Sequence, residues 1–403
     1  MPATSPSQSS ASAASAWLSE RARALQPSLT LAIAAKAKQL KADGRDICSL
    51  SAGEPDFDTP AFICEAAALA LTNGQTRYGP AAGEPALREA IAAKLSQENQ
   101  VPTKPAQVLV TNGGKQALFN LFQVLLQPGD ELLLPAPFWL SYPDMAQLAG
   151  ASVRLIPSDA AAGFRLTPEA LEAAIGPASK LLVLNSPSNP TGTVLHRSEL
   201  EALATVLRRH PRLLVVCDEI YEFLVAPGHS HHSLAAVAPD LAERILIVGG
   251  CAKGWAMTGW RIGWLAGNQS VIQAAAALQS QSTSNVCTFA QYGALAAVGG
   301  PRDCVQAMAA QFNSRRQRLS DGVRAIPGLQ LQPPEGAFYA FPDVSHYGLD
   351  SMTLCNRLLD EVGLAVVPGI AFGDDRCIRL SCAAAETTID DGLGRLARFL
   401  KAL

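Results

Sequence analysis

Residues 249–264 read G-G-C-A-K-G-W-A-M-T-G-W-R-I-G-W, directly after the apolar run Ile245-Leu246-Ile247-Val248. The run has the length and branching of a buried strand, and the glycines are expected to end it. Lys253 then stands just past a strand end, where open α/β sheets place their ligand crevice. With Trp255, Met257 and Trp260 around it and little formal charge nearby, its ammonium is expected to lose hydration. Desolvation lowers a lysine pKa and leaves an amine able to form a Schiff base. Arg261, between Gly259 and Gly263, is a guanidinium that can clamp a phosphate while the glycines admit close backbone approach. Taken alone, such a pair is more often a surface lysine and a structural arginine, so the rest of the chain has to supply a matching site.

Other strand ends carry suitable groups. Val108-Leu109-Val110 runs into Thr111-Asn112-Gly113-Gly114-Lys115 and then a helical stretch to Leu126. Strand, glycine turn and helix start leave free N–H groups where an anion binds. The segment lacks G-x-G-x-x-G and the full P-loop pattern, which disfavours dinucleotides and nucleoside triphosphates. After the run 131–134, a Pro-rich loop offers Phe138, Trp139 and Tyr142, any of which can stack on a flat ring. The run 181–184 leads into N-S-P-S-N-P-T-G, where Asn189 presents a short amide held by the following proline. Residues 213–217 form the clearest buried strand, followed by Asp218-Glu219-Ile220-Tyr221. A carboxylate buried there needs a cationic partner. Arg379 lies in the apolar strand Ile378-Arg379-Leu380-Ser381, and a buried arginine is rarely unpaired.

The string A-K-x-x-A-M-T-G-W-R-I-G resembles the pyridoxal-phosphate lysine segment of class I aminotransferases, the aspartate aminotransferase group. G-E-P-D-F from Gly53, Y-x-x-x-x-G from Tyr78, T-x-G-G-K-Q-A-L from Thr111, P-x-W-x-S-Y-P from Pro137, N-P-T-G from Asn189 and R-L-S from Arg379 are similar to that family's strings in the same order. The resemblance spans residues 20 to 400 or so. It implies an α/β fold (fold-type I) with a mostly parallel central sheet, helices on both faces and a smaller α+β domain. It also implies pyridoxal 5′-phosphate as cofactor, and transfer of an amino group from L-aspartate or a similar amino acid to 2-oxoglutarate in a ping-pong cycle.

By resemblance, Lys253 carries the cofactor and shuttles the substrate proton, and Asp218 keeps the ring nitrogen protonated. Asn189 and Tyr221 then bond the phenolic oxygen, and Trp139 is the aromatic that stacks. Gly114, Lys115 and Arg261 hold the phosphate. Tyr78 reaches the phosphate of a neighbouring subunit, which implies a homodimer with shared sites. Gly53, Trp139, Asn189 and Arg379 meet the substrate, with Arg379 gripping the α-carboxylate and Lys115 also facing a distal carboxylate. Many relatives carry Ser where this chain has Gly250, so the phosphate must lean on Arg261, Tyr78 and backbone amides. Relatives that also accept prephenate tend to have Lys where this chain has Gln26, which argues against prephenate. The alternatives are an alanine or aromatic aminotransferase, a carbon–sulfur lyase of the same fold type, or a non-catalytic binding module.

At 403 residues, two domains are expected. The division read here is an extension at 1–16, disordered by composition, a segment at 17–62 packing with the small domain, a large cofactor domain at 63–300 and a small domain at 301–403. A formal charge of −3 without basic blocks argues against nucleic acid. No run approaches the ~20 apolar residues of a membrane span. Nine scattered cysteines point to a reducing compartment, the cytoplasm. Gly228-His229-Ser230-His231-His232 lacks carboxylate or Cys support, so solvated loop histidines are expected and no metal. Residues 311–325 are expected to form an amphipathic helix with Arg315, Arg316 and Arg318 on its solvated face.

Overall fold

Between residues 108 and 266 the apolar runs, apart from the alternating S-V-R-L-I at 152–156, show no polar alternation, the pattern of strands covered on both faces. In the computed structural model, described over residues 17–25 and 29–403, they assemble accordingly. The extension at 1–16 and Gln26 lie outside the described residues. In chain order the strands are β1 (Cys48–Ser49), β2 (Val108–Thr111), β3 (Glu131–Pro135), β4 (Ser152–Ile156), β5 (Ser179–Asn185), β6 (Leu214–Asp218), β7 (Ile245–Gly250), β8 (Gly263–Ala266), β9 (Tyr339–Ala340), β10 (Leu364–Ala365), β11 (Val367–Pro368) and β12 (Ile378–Ser381). The central sheet has the order β2-β8-β7-β6-β5-β3-β4. Only β8 runs antiparallel to its neighbours.

Successive side chains leave opposite faces of a strand. Val215, Cys217, Ile245 and Ile247 therefore join one core, together with the helices Arg197–Arg209 and Thr288–Gly299. Val216, Leu246, Val248 and Leu265 join the other, together with the helices Gly114–Leu125 and Gln269–Ser282. Burying each such aliphatic side chain contributes about 1.5–3 kcal/mol.

The expectation that Gly249 and Gly250 end their strand is corrected: β7 continues through both and pairs them with Trp264 and Gly263. A Cβ on Gly249 would lie 2.5 Å from the Trp264 indole nitrogen. The glycines let the strand run under that ring rather than breaking it.

A smaller sheet, β11-β12-β9, is packed by the helices Asp303–Arg324, Ser351–Val362 and Glu386–Lys401 around Phe312, Phe338, Leu358 and Leu396. The N-terminal segment joins it, because β1 pairs parallel with β10 and Arg395 donates to the Asp46 and Val362 carbonyls at 3.0 Å. The helix expected over 311–325 is longer, Asp303–Arg324, and its arginines do not share a solvated face. Arg316 is buried and donates to the Ala337 carbonyl at 2.7 Å, and Arg315 lies against Phe57 and pairs with Asp56. Only Arg318 stays exposed. A guanidinium with a carbonyl or carboxylate in reach can be covered, which helical spacing does not register.

Candidate active site

The C-terminal ends of β5, β6 and β7 lie side by side, because these strands run parallel, and the end of β2 opens toward the same crevice. They surround a cavity of about 930 Å³, within the roughly 300–1,000 Å³ of small-molecule sites. Ten of the eleven site residues named from the sequence line it. Tyr78 does not, and stands 93% exposed.

β7 delivers Lys253 through a single turn, Cys251–Gly254. Its ammonium donates to the Gly53 carbonyl and lies 5.7 Å and 5.6 Å from the ring centres of Tyr221 and Phe338. The expected neighbours are corrected. Trp255 and Met257 turn into the core, and the Trp260 indole donates to Thr59 at 3.0 Å. Nor is formal charge scarce. Burial lowers the Lys253 pKa most; Glu54 opposes this, Arg379 and Arg261 add to it, and Asp218 opposes it, for a value of about 8. Glu54 is held by the Thr258 hydroxyl at 2.7 Å.

Asp218 ends β6. The Tyr142 hydroxyl donates to its Oδ2 at 2.7 Å and the Ile220 N–H to its Oδ1 at 3.3 Å. Burial pushes its pKa up to about 6 against the pull of those two donors. Among the described residues no basic side chain lies within 4.0 Å of it.

Asn189 accepts a 3.0 Å bond from Arg379 Nη1, which leaves its amide N–H groups as donors toward the cavity. Arg379 Nη2 donates to the Ser51 carbonyl at 3.1 Å, and Tyr339 and Phe372 cover the guanidinium at 4.4 Å and 4.9 Å. Its Nε is buried without a partner, and among the described residues no carboxylate pairs with it. A guanidinium desolvated this far is costly unless a carboxylate arrives.

At the other end, Gly113 takes φ +80° before the helix Gly114–Leu125, so the N–H groups of Gly114 and Lys115 have no partner within the helix. Arg261 is held over this helix start by donating to the Thr258 carbonyl at 2.8 Å and the Asn112 carbonyl at 3.3 Å. A Cβ on Gly113 would lie 2.7 Å from its Nη2. A Cβ on Gly250 would meet Gly263, Ile220 and Ile262 at 3.0 Å, so the serine of many relatives would be crowded here. Lys115 Nζ sits 4.9 Å from the Trp139 ring centre, and burial, then Arg261, lower its pKa while Asp144 opposes them.

The three aromatics of the Pro-rich loop separate. Trp139 and Tyr142 line the cavity, edge to face at 5.3 Å, and Phe138 packs against Gly373. Sequence reading missed the Tyr142 bond to Asp218, although the S-Y-P string contained that residue. It also missed Tyr339, whose hydroxyl lies 2.9 Å from that of Tyr221. Burial pushes both phenols above their ordinary range.

The expectation of solvated histidines is corrected at two positions. His231 is buried with its Nε2 3.2 Å from Glu219, because a carboxylate stands opposite it. His229 stacks on His196 at 5.3 Å beside Glu335. The Arg165 guanidinium reaches both His196 and Glu335, at 3.3 Å and 2.5 Å, and His196 Nε2 itself lies 3.5 Å from Glu335.

The residues fit pyridoxal phosphate on three counts: a buried acid without a cation, a lysine of lowered pKa, and a helix-start cradle roofed by Arg261. Around them the cavity lining has Lys38, Lys41, Lys115, Lys253, Arg261 and Arg379 against only Glu54 and Asp218. Such a surplus of positive charge selects anionic ligands.

The family model described as aminotransferase class I and II matches residues 45–396. The chain is 46% identical over 386 residues to the aspartate/prephenate aminotransferase of Thermus thermophilus, covering 95% of this chain and 98% of that protein. Among solved structures it is similar to the aspartate aminotransferase of Rhizobium meliloti, with TM-score 0.92, 38% identity and coverage of 95% of this chain and 98% of that one. It is also similar to the Thermus thermophilus aspartate aminotransferase with maleate, with TM-score 0.90, 45% identity and coverage of 94% and 99%.

Proposed function

The chain belongs to the class I and II aminotransferases, pyridoxal-phosphate enzymes, and from that premise we propose that it moves the amino group of L-aspartate to 2-oxoglutarate. One observation carries the reading: Lys253, Asp218, Arg261 and Arg379 line a single cavity, and among the described residues none has an oppositely charged partner within 4.0 Å.

Pyridoxal phosphate, when bound, supplies a carbonyl carbon that carries the amino group and a ring that accepts electrons. Lys253 would hold that carbon, and its amine, once displaced by the substrate's amine, would take the proton from the substrate Cα as general base and deliver it as general acid to the carbon that then carries the amino group. Asp218 keeps a proton on the ring nitrogen, and the Tyr142 hydroxyl keeps Asp218 ionised. Asn189 and Tyr221 donate to the phenolic oxygen. The N–H groups of Gly114 and Lys115, with Arg261, hold the phosphate, and Trp139 covers the ring. Arg379 grips the substrate α-carboxylate with its fork, assisted by Gly53, while Lys115 meets the distal carboxylate.

The surplus of basic residues supports a dicarboxylic substrate, as does the maleate-bound relative. Tyr78, exposed in one chain, supports a homodimer in which it reaches the partner's phosphate. Residues 63–300 then act as the cofactor domain, and 17–62 with 301–403 as the smaller domain. Nine free cysteines support a reducing compartment such as the cytoplasm.

A panel of amino donors with 2-oxoglutarate as acceptor tests the substrate, with aspartate expected to be fastest. Equal or faster turnover of alanine or phenylalanine would overturn it. Prephenate as acceptor is the second reading, favoured by the Thermus relative; Gln26 speaks against it, and slow prephenate turnover is expected.

A further inference from the structure

The turn Asp218-Glu219-Ile220-Tyr221-Glu222 faces two ways. Asp218, Ile220 and Tyr221 line the main cavity, whereas Glu222 and His231 line a separate one of about 380 Å³. Glu222 is bound by the Lys94 ammonium and by the Asn99 amide, the latter at 2.7 Å. Glu219 Oε2 lies 3.2 Å from His231 Nε2, an ion-pair distance without hydrogen-bond alignment, and His231 Nδ1 is buried without a partner. All four charged or titratable side chains are covered: Lys94 is 1% exposed, Glu219 5%, Glu222 9% and His231 9%.

Two carboxylates against one lysine leave a negative charge buried behind the turn, and a buried unpaired charge is destabilising. His231 is the group that can cancel it. Burial works against its proton, but Glu219 and Glu222 outweigh burial and Lys94, so its pKa sits above the ordinary imidazole value. Glu98, Arg197 and His232 line the same cavity; Arg197 is engaged by Glu201 at 3.3 Å, and burial, then Arg197 and His231, lower the His232 pKa. The cluster is tied to the turn's backbone: the Glu219 N–H donates to the Val248 carbonyl at 2.8 Å, and the Glu222 N–H to the Glu219 carbonyl at 3.0 Å.

We propose that His231, held as an imidazolium against Glu219, is a positioning residue of the transamination site, neutralising the charge behind the turn and so fixing Asp218 and Tyr221 where they face the cavity. This rests on the reading of that cavity as the cofactor site.

The test compares full-length wild type, His231→Gln, Glu219→Gln and the double variant, with pyridoxal-phosphate affinity read by tryptophan quenching across a pH series. His231→Gln leaves the Glu219 carboxylate buried and unpaired and is expected to bind about tenfold more weakly, whereas in Glu219→Gln the imidazole can shed its proton and the loss is expected to stay within about threefold. The double variant removes both charges and is expected to recover to within about threefold of wild type. In wild type the affinity falls as His231 loses its proton, at a pH above the ordinary imidazole value of about 6.5. The double variant lacks that limb. An NMR titration of the His231 ring in cofactor-free wild type should show the same midpoint. If a single variant fails to fold, the presence or absence of the limb in the double variant decides. A His231→Gln variant with wild-type affinity and pH profile, or a double variant no better than His231→Gln, overturns the role of His231 alone. A wild type that takes up no pyridoxal phosphate overturns the cavity reading, and this proposal with it.

Discussion

Lys253 has to be a free amine before it can act, and its surroundings set how often it is. With a pKa of about 8, roughly one-tenth of the side chain is neutral at pH 7, against about one part in 3,000 for an ordinary lysine near 10.5. The site therefore multiplies the reactive form about 300-fold. Competitive acetylation of the cofactor-free protein reads this directly. Trace acetic anhydride is added over a pH series and the Lys253 adduct is quantified by peptide mass spectrometry against exposed lysines such as Lys36, whose side chain is 43% accessible. The Lys253 adduct is expected to rise with a midpoint near pH 8. Glu54→Gln removes the carboxylate that most favours the ammonium and moves the midpoint lower still. A midpoint at the ordinary lysine value would refute the claim that burial dominates, and an upward shift in Glu54→Gln would refute the sign given to Glu54.

Two further outcomes follow from the same geometry. The Asp218 pKa is raised in the fold to about 6, from about 3.9 unfolded, so the fold favours its neutral acid. This contribution is full below about pH 4 and is lost as pH rises through about 6, at most about 3 kcal/mol. Tyr142→Phe removes a donor to the ionised form worth about 1.5–3 kcal/mol, so the loss should continue at least one pH unit higher. Thermal unfolding of the cofactor-free proteins across that range checks it, and superimposable profiles would count against the bond. Arg379→Lys keeps the charge but loses the fork, so the aspartate KM should rise on the order of 100-fold, about 2.7 kcal/mol, while the visible spectrum of the bound cofactor stays unchanged. An unchanged KM would remove Arg379 from the substrate.

The strand ends were legible because a buried parallel strand writes a continuous apolar run, and the polar residue that follows is where the chain reaches the crevice. Asp218 stands in that position, Asn189 and Lys253 follow four and three residues past the ends of β5 and β7, and ordered strings did the rest. What misled the reading at Gly249 and Gly250 was using glycine as punctuation, when its role is to admit the Trp264 ring against the strand. Arg315 and Arg316 were misread for a related reason: charge was equated with solvent, although a carbonyl and an aspartate stood within reach.

The groups that tune the site were harder to see than those that touch the ligand, and the difference is physical. A residue that meets a cofactor is placed by its own strand end, so local sequence identifies it. A residue that sets another's proton affinity acts across the fold. Tyr142 reaches Asp218 from the helix Ser141–Leu148. His231 reaches Glu219 from a loop, and Lys94 reaches Glu222 from the helix Pro85–Gln97. Neither periodicity nor motif spacing connects these segments. What connects them is that a carboxylate buried on either side of one short turn needs a compensating proton or cation. The turn itself carries the warning, since Asp218, Glu219 and Glu222 crowd three acids into five residues at the end of a fully apolar strand. Such a density of acids at a buried strand end implies distant donors, and in this chain Tyr142, Lys94 and His231 are the ones that answer it.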